Sequence, residues 1–280
     1  MKTGITGATG QLGRLIIEKL KSKTNPADLV ALVRSPEKAT DLGIEVRKFD
    51  YNNAEELAES LKGIDHLMLV SASEIGKRVS QHSNVIEAAK KAGVKWVVYT
   101  SLLNADNSTL SLAGEHRETE AMLKSSGIPY TILRNGWYTE NYTASIPNTI
   151  KAGVLLGSAG EGKISSATRE DFAEAAAMVL VNEEHKGKTY ELAGDEAYTL
   201  KDLAAEISRQ AGKDIQYNNL PEADYAEKLL SFGLPEGFAK AIAGFDAEAS
   251  KDQLYSNSKD LSKLIGRPTT SLSDSVKKSL

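Results

Sequence analysis

The sequence predicts an α/β fold, a doubly wound parallel sheet with a smaller, mainly helical C-terminal lobe, and three observations carry that prediction. Short, continuously apolar runs alternate with amphipathic stretches through the first half of the 280 residues. A cluster of glycines sits between the first run and the first amphipathic stretch. After Asn135 the rhythm changes. Alternating strands and helices imply parallel pairing through right-handed crossovers. Runs that are apolar throughout, rather than at every second residue, imply a sheet covered by helices on both faces.

Taken in order, Lys2–Thr6 reads as the first strand and Gln11–Leu20 as a helix with Leu12, Leu15, Ile16 and Leu20 on one face. Leu29–Val33, Glu45–Lys48, His66–Val70, Trp96–Thr100 and Tyr130–Leu133 supply strands two to six, with helical patterns at Ala54–Leu61, Val79–Ala92 and Glu115–Ser125. Residues 1–135 are thus expected to form the sheet-bearing core. Residues 136–280 are expected to complete the sheet and to form a substrate lobe. There Gly153, Gly157, Gly160 and Gly162 crowd a loop-rich stretch, followed by a helix at Asp171–Val181 and a strand at Thr189–Leu192. A capped helix over Tyr198–Gln210 comes next, then a helical pair over Leu220–Lys240 interrupted at Gly233-Leu234-Pro235. Gly4, inside the first strand, has no functional account at this stage.

Composition narrows the function. Charged residues make up 26% and the net charge is −4, with no dense block of lysine and arginine, which argues against nucleic acid or an anionic membrane as partner. The longest apolar run, Ala175–Val181, is far short of a spanning helix. The N-terminal residues are not expected to form a removable export signal, and zero cysteines exclude thiolate metal sites and fit the cytoplasm. The four histidines, His66, His82, His116 and His185, lack metal-ligand spacing.

The strongest chemical signal is the turn Gly7-Ala8-Thr9-Gly10-Gln11-Leu12-Gly13. Its glycines recur at every third position, directly after a strand and opening a helix. Gly7 lets the strand turn sharply, Gly10 removes a Cβ from the path of a pyrophosphate, and Gly13 lets the helix press on the sheet. The phosphates then meet the unpaired N–H groups and positive dipole end of the helix. This is the dinucleotide-binding turn of a Rossmann fold, with a plain strand–helix turn as the alternative. Arg34 ends the second strand where an NAD enzyme places an acid for the ribose 2′-hydroxyl. A guanidinium there grips a 2′-phosphate instead, so NADP(H) is expected; a solvated surface arginine is the competing reading. Ser35 offers a further donor, and Asp50 either meets the adenine amine or sits in an exposed loop.

Ligands of open α/β sheets lie beyond the carboxyl ends of the strands. Ser71, Ala72 and Ser73 leave strand four there and are small enough to admit ribose and nicotinamide. Asn135, Gly136, Trp137, Tyr138 and Asn141 leave strand six and are expected to contact the cofactor, and the aromatic faces of Trp137, Tyr138 and Tyr142 to line a flat acceptor pocket. Ser101 is expected to leave strand five.

The segments Ile5–Gly13, Ser71–Gly76, Leu133–Tyr142, Ser166–Arg169 and Leu264–Pro268, with Arg34, resemble the type-2 NAD(P)H:quinone oxidoreductases, atypical short-chain reductases grouped with the NmrA-like proteins. The resemblance runs along essentially the whole chain. It implies NADPH-dependent reduction of quinones without flavin or metal, and contact of Arg169 with cofactor or substrate. It also leaves a second reading, a non-catalytic NADP-sensing regulator.

Ordinary short-chain dehydrogenases carry a Tyr-x-x-x-Lys acid–base pair on the helix after strand five. Here His116 and Glu120 stand at those positions, so the pair is missing; Tyr255 and Lys259 have the spacing but lie in the tail. Alcohol dehydrogenation and sugar-nucleotide epimerisation are therefore disfavoured. A quinone is already electrophilic, and hydride transfer to it depends mainly on stacking against the nicotinamide. No catalytic residue is assigned; His116 and Ser101 are candidates for assisting proton transfer. The expected partner is a small quinone-like acceptor, and a homodimer is one arrangement open to the chain.

Overall fold

The computed structural model describes residues 1–280. Nine strands are present: β1 (Thr3–Thr6), β2 (Leu29–Val33), β3 (Glu45–Lys48), β4 (His66–Leu69), β5 (Trp96–Leu102), β6 (Tyr130–Asn135), β7 (Val154–Gly157), β8 (Thr189–Leu192) and β9 (Gln216–Asn219). The helices of the first half are α1 (Gln11–Lys21), α2 (Ala54–Ser60), α3 (Arg78–Ala92) and α4 (Ala113–Ser125). Those of the second half are α5 (Glu140–Thr143), α6 (Ile146–Ala152), α7 (Arg169–Leu180), α8 (Leu200–Ala211), α9 (Glu222–Ser231), α10 (Glu236–Ala249), α11 (Asp260–Ile265) and α12 (Leu272–Lys278).

Seven strands form one parallel sheet in the order β3-β2-β1-β4-β5-β6-β8. The order reverses between β1 and β4, and the carboxyl ends on either side of that switch point open a crevice. Successive residues of each strand face opposite layers, as the pleat requires. Ala31, Val33, Met68 and Val98 pack with Ile16, Ile17 and Phe172 of α1 and α7, whereas Val30, Leu32, Leu67 and Tyr99 pack with Leu57, Val85 and Leu123 of α2, α3 and α4. The edge strand β3 keeps Glu45 and Lys48 exposed, the charged fringe that discourages edge-to-edge pairing. Gly4 has a packing reason: a Cβ there would stand 2.9 Å from Leu32 Cδ1 and 3.2 Å from Ile64.

Two boundaries differ from the sequence expectation in ways that matter. β5 continues through Leu102, so Ser101 lies inside the strand and is buried rather than leaving it; pairing with β6 through Arg134 and Asn135 extends the ladder. The loop-rich stretch around Gly157 contains β7, which pairs in parallel with β9. Gln216-Tyr217-Asn218-Asn219 has no apolar run to announce it as a strand. The pairing rests on a partner distant in the chain rather than on local pattern. No helix is long and apolar enough to cross a membrane.

Candidate active site

The glycine turn is built as its spacing requires. Gly7 takes a φ of +59°, open to residues without a Cβ at little cost, and its carbonyl accepts the N–H of Gly10 at 2.8 Å. A Cβ on Gly13 would fall 2.3 Å from Gly7 O and 2.9 Å from Ala8 Cα, so the close seating of α1 needs glycine. No side chain caps the first turn of α1 and no acid lies in it, which leaves its N–H groups facing the crevice for an anion.

Arg34 lies at the end of β2 with its side chain 69% exposed, and Nη1 stands 3.3 Å from Glu74 Oε1 across the crevice. Exposed pairs of this kind contribute at most about 1 kcal/mol, so a phosphate can replace Glu74 cheaply. Asp50 is occupied by its own loop: Oδ1 accepts the backbone N–H of Asn52 at 3.0 Å, an Asx turn.

The loop after β4 is held by side chains that the sequence alone did not single out. Ser71 N–H donates to Thr100 Oγ1 at 2.9 Å, and Ala72 N–H to His82 Nε2 at 2.9 Å. Arg78 donates to Ala72 O at 2.9 Å and to Glu115 Oε2 at 2.7 Å. Thr6 Oγ1 accepts the N–H of Val70 at 2.9 Å, tying this exit to that of β1. The small residues Ser71, Ala72 and Ser73 therefore stand at a fixed position beside the glycine turn.

His116 and Ser101 are committed to structure. His116 is 5% exposed, and its Nδ1 lies 2.7 Å from the Tyr99 hydroxyl. Burial, with the nearby Arg78 charge and His82, pushes its pKa down to about 3, so it is neutral near pH 7. His82, likewise buried, is lowered to about 3 by burial and by Arg78. It accepts through Nε2 and so donates from Nδ1 to Thr119 Oγ1, whose own proton goes to Glu115 O. Ser101 Oγ donates to Glu120 Oε1 at 2.6 Å. Glu120 is also gripped by Arg134 through two bonds of 2.9 and 2.7 Å, and Arg134 reaches Asp106 and Glu191 as well. Where a catalytic lysine would stand there is a buried ion-pair network.

The exit of β6 divides its aromatic residues. Tyr138 forms a bridge with Ala167, so the chain is extended there and neighbouring side chains point to opposite sides. Tyr138 packs edge-on against Phe172, and the guanidinium of Arg169 lies 4.2 Å over its ring. Arg169 is held by Glu140 at 3.3 Å and by Asn141 Oδ1 at 2.9 Å. Tyr138 is therefore absent from the walls of the large pocket beside this exit, whereas Trp137 and Tyr142 line it. That pocket has a volume of about 960 Å³, and Trp137, Tyr142, Leu155, Tyr225, Phe238 and Phe245 are among its walls. Asp246 lies in it too, 3% exposed, accepting from the Tyr142 hydroxyl at 3.1 Å. The α9–α10 contribution had only its apolar residues as a signal, and nothing in their spacing told pocket from core. Asn135 Oδ1, at the end of β6, is buried without a partner. An uncapped helix end, a crevice lined by small residues and an orphaned carboxamide oxygen fit a dinucleotide with an amide-bearing ring.

Residues 7–183 match the family model described as NAD(P)H-binding. The chain is 56% identical over 275 residues to quinone oxidoreductase 2 of Escherichia coli K12, covering 97% of this chain and 96% of that protein. It superposes with a TM-score of 0.96 and 55% identity on the crystal structure of the E. coli NADPH-dependent quinone oxidoreductase complexed with NADPH, covering 99% of both chains. The Citrobacter sp. triphenylmethane reductase complexed with NADP(H) gives a TM-score of 0.96 at 37% identity, over the full length of both. The glycine turn, the switch-point crevice and these full-length likenesses agree: the chain belongs to the NAD(P)H-binding family, among the NmrA-like reductases of the type-2 quinone oxidoreductase group.

Proposed function

We propose that this protein is an NADPH-dependent reductase that delivers a hydride to a quinone or a similarly flat electrophilic acceptor. The observation that carries the reading is the aromatic-walled pocket of about 960 Å³, whose Trp137, Asn141 and Tyr142 follow the carboxyl end of β6. Residues 1–135 hold the cofactor in this reading, and residues 136–280 shape the acceptor lobe. Gly7, Ala8, Thr9, Gly10, Gln11 and Leu12 take the pyrophosphate on the open end of α1, and Arg34 pairs with the 2′-phosphate. Ser71, Ala72 and Ser73 border the ribose and nicotinamide. Asn135 Oδ1 accepts from the carboxamide, and Gly136 beside it lets the chain pack against Leu192 O, 3.0 Å from where a Cβ would stand. The cation–aromatic pair of Arg169 and Tyr138, braced by Asn141, forms the outer wall.

When bound, NADPH supplies the hydride. Trp137 stacks and orients the acceptor, and the apolar wall excludes water from the transfer path. The buried Glu120–Arg134 pair and neutral His116 offer no acid–base dyad for alcohol substrates. A cytosolic setting, where NADPH is available, follows from the same reading.

The test is loss of reduced-nicotinamide absorbance with small benzoquinones and naphthoquinones present. Steady turnover at micromolar protein supports the proposal. Tight NADPH binding with no turnover on any quinone would overturn it in favour of an NADP-sensing role.

A further inference from the structure

We propose that Tyr142 is the proton donor to the acceptor oxygen, and that Asp246 behind it is the positioning residue that turns and recharges its hydroxyl. The inference rests on the reductase reading above and adds a proton route to it.

Asp246 comes from α10 and Tyr142 from α5, and both line the acceptor pocket. Asp246 Oδ1 accepts the Tyr142 hydroxyl at 3.1 Å, and Oδ2 accepts the backbone N–H of Ser158 at 3.0 Å. Gly157 clears the space for this: a Cβ there would stand 2.9 Å from Oδ2 and 2.7 Å from Leu200 Cδ1. A buried carboxyl with no cation paired to it is expensive to keep ionised, and the fold gains no ion pair from it. Burial lifts its pKa to about 6, against the pull of the Ser158 and Tyr142 hydrogen bonds.

The two protonation states aim the phenol differently. Oδ2 is committed to Ser158, so an added proton sits on Oδ1, facing Tyr142. An ionised Asp246 holds the phenolic proton to itself. A protonated Asp246 donates to the phenolic oxygen, and the Tyr142 proton turns toward the pocket. The groups facing Asp246 are Tyr142, Tyr217 of β9 and Tyr225 of α9, each raised chiefly by burial. Lys151 of α6 is the other charged residue of the pocket wall. Glu222 of α9 lies beside Gly244 on α10. Lys240 and Glu248, on α10 itself, pair with Glu236 and Lys251. The pocket wall holds no histidine.

The chemistry balances as one hydride and one proton per quinone. The hydride and its electron pair come from NADPH and leave the acceptor a hydroquinone anion. A Tyr142 O–H bond breaks as the anion's O–H bond forms. Asp246 returns its proton to the phenolate, and water recharges Asp246 once the product leaves.

The experiment is the single-turnover rate of NADPH oxidation by a benzoquinone from pH 5 to 8, in the intact protein and in Asp246→Asn and Tyr142→Phe. The unmodified protein should slow as pH rises through about 6, which tests the proposal without any variant. Asp246→Asn keeps the shape: its amide oxygen serves Ser158 and its nitrogen donates to Tyr142. The rate should then be flat with pH. Tyr142→Phe should slow the step about tenfold or more at pH 5.5, toward the range of a lost general acid, with NADPH affinity unchanged. A pH-independent rate in the unmodified protein, an unaltered slope in Asp246→Asn, or a Tyr142→Phe defect confined to quinone KM would overturn the proposal. Quinone turnover that survives these outcomes leaves the reductase reading standing; NADPH binding without any quinone turnover removes both.

Discussion

Replacing Gly13 and Gly10 singly by alanine separates what the glycine turn does for the fold from what it does for the ligand. At Gly13 the new Cβ would lie 2.3 Å from Gly7 O, 2.8 Å from Gly7 C and 2.9 Å from Ala8 Cα. All three are backbone atoms, and ordinary contact needs more than 3 Å, so α1 must back away from the Gly7-Ala8 turn by about an ångström. α1 cannot do so freely, because Ile16, Ile17 and Leu20 are buried in the core shared with α7. Overpacking of this kind costs roughly 1–3 kcal/mol, offset by about 1 kcal/mol from the better helix propensity of alanine. At Gly10 the nearest atom to the new Cβ is Gly7 O at 3.1 Å, and the backbone there is extended, at φ −78° and ψ 166°. Alanine fits that conformation with a few tenths of an ångström of adjustment. Gly13→Ala should therefore lower the midpoint of thermal unfolding by several degrees, at about 2–4 °C per kcal/mol, and weaken NADPH as a consequence. Gly10→Ala should leave the midpoint within about 2 °C and still weaken NADPH at least tenfold by fluorescence titration, since in the proposed placement its Cβ stands in the pyrophosphate's path. An unchanged NADPH affinity in Gly10→Ala would refute the placement of the phosphates.

Other outcomes follow from the same geometry. Arg34→Asp should weaken NADPH by one to two decades, the scale of a charge-assisted contact of about 1.5–3 kcal/mol, while sparing NADH; equal loss for both would make Arg34 structural. His116→Ala and Ser101→Ala should each lower kcat less than about tenfold, below a lost general acid, and show instead as reduced thermal stability because Tyr99 and Glu120 lose partners. Trp137→Ala should raise the quinone KM, whereas Tyr138→Ala should leave it unchanged, and equal effects would contradict their opposite orientations. His82 and His116, neutral in the fold down to about pH 3, take up protons on unfolding from about pH 6.5 downward. Their contribution is whole above that pH and is lost as pH falls toward 3. Asp246, raised to about 6, works the other way, losing its contribution as pH rises through 6. Two groups outweigh one, so unfolding midpoints should fall from pH 6.5 to 4, and calorimetry in paired buffers should show net proton uptake on unfolding.

Whatever rests on local pattern is legible along the chain. Continuous apolar runs such as Leu29–Val33 can be satisfied only by cover on both faces, and a glycine at every third position after a strand admits few geometries. The α/β class, the central strands, the cofactor turn and the missing Tyr-x-x-x-Lys pair were legible for that reason. The resemblance through Asn135–Asn141 pointed to a segment whose Trp137 and Asn141 line the large aromatic pocket.

Features that depend on long-range packing are not legible in this way. Trp137 and Tyr138 are neighbours in the chain, yet the bridge to Ala167 sends one to the pocket and the other beneath Arg169. β7 and β9 become strands through each other. Tyr142 and Asp246 meet across 104 residues of chain, and no spacing rule reaches that far. His116 looked like an available acid on a helix and is instead a neutral, buried partner of Tyr99. Burial sets the protonation state of such a group, and burial depends on which distant segments pack against it.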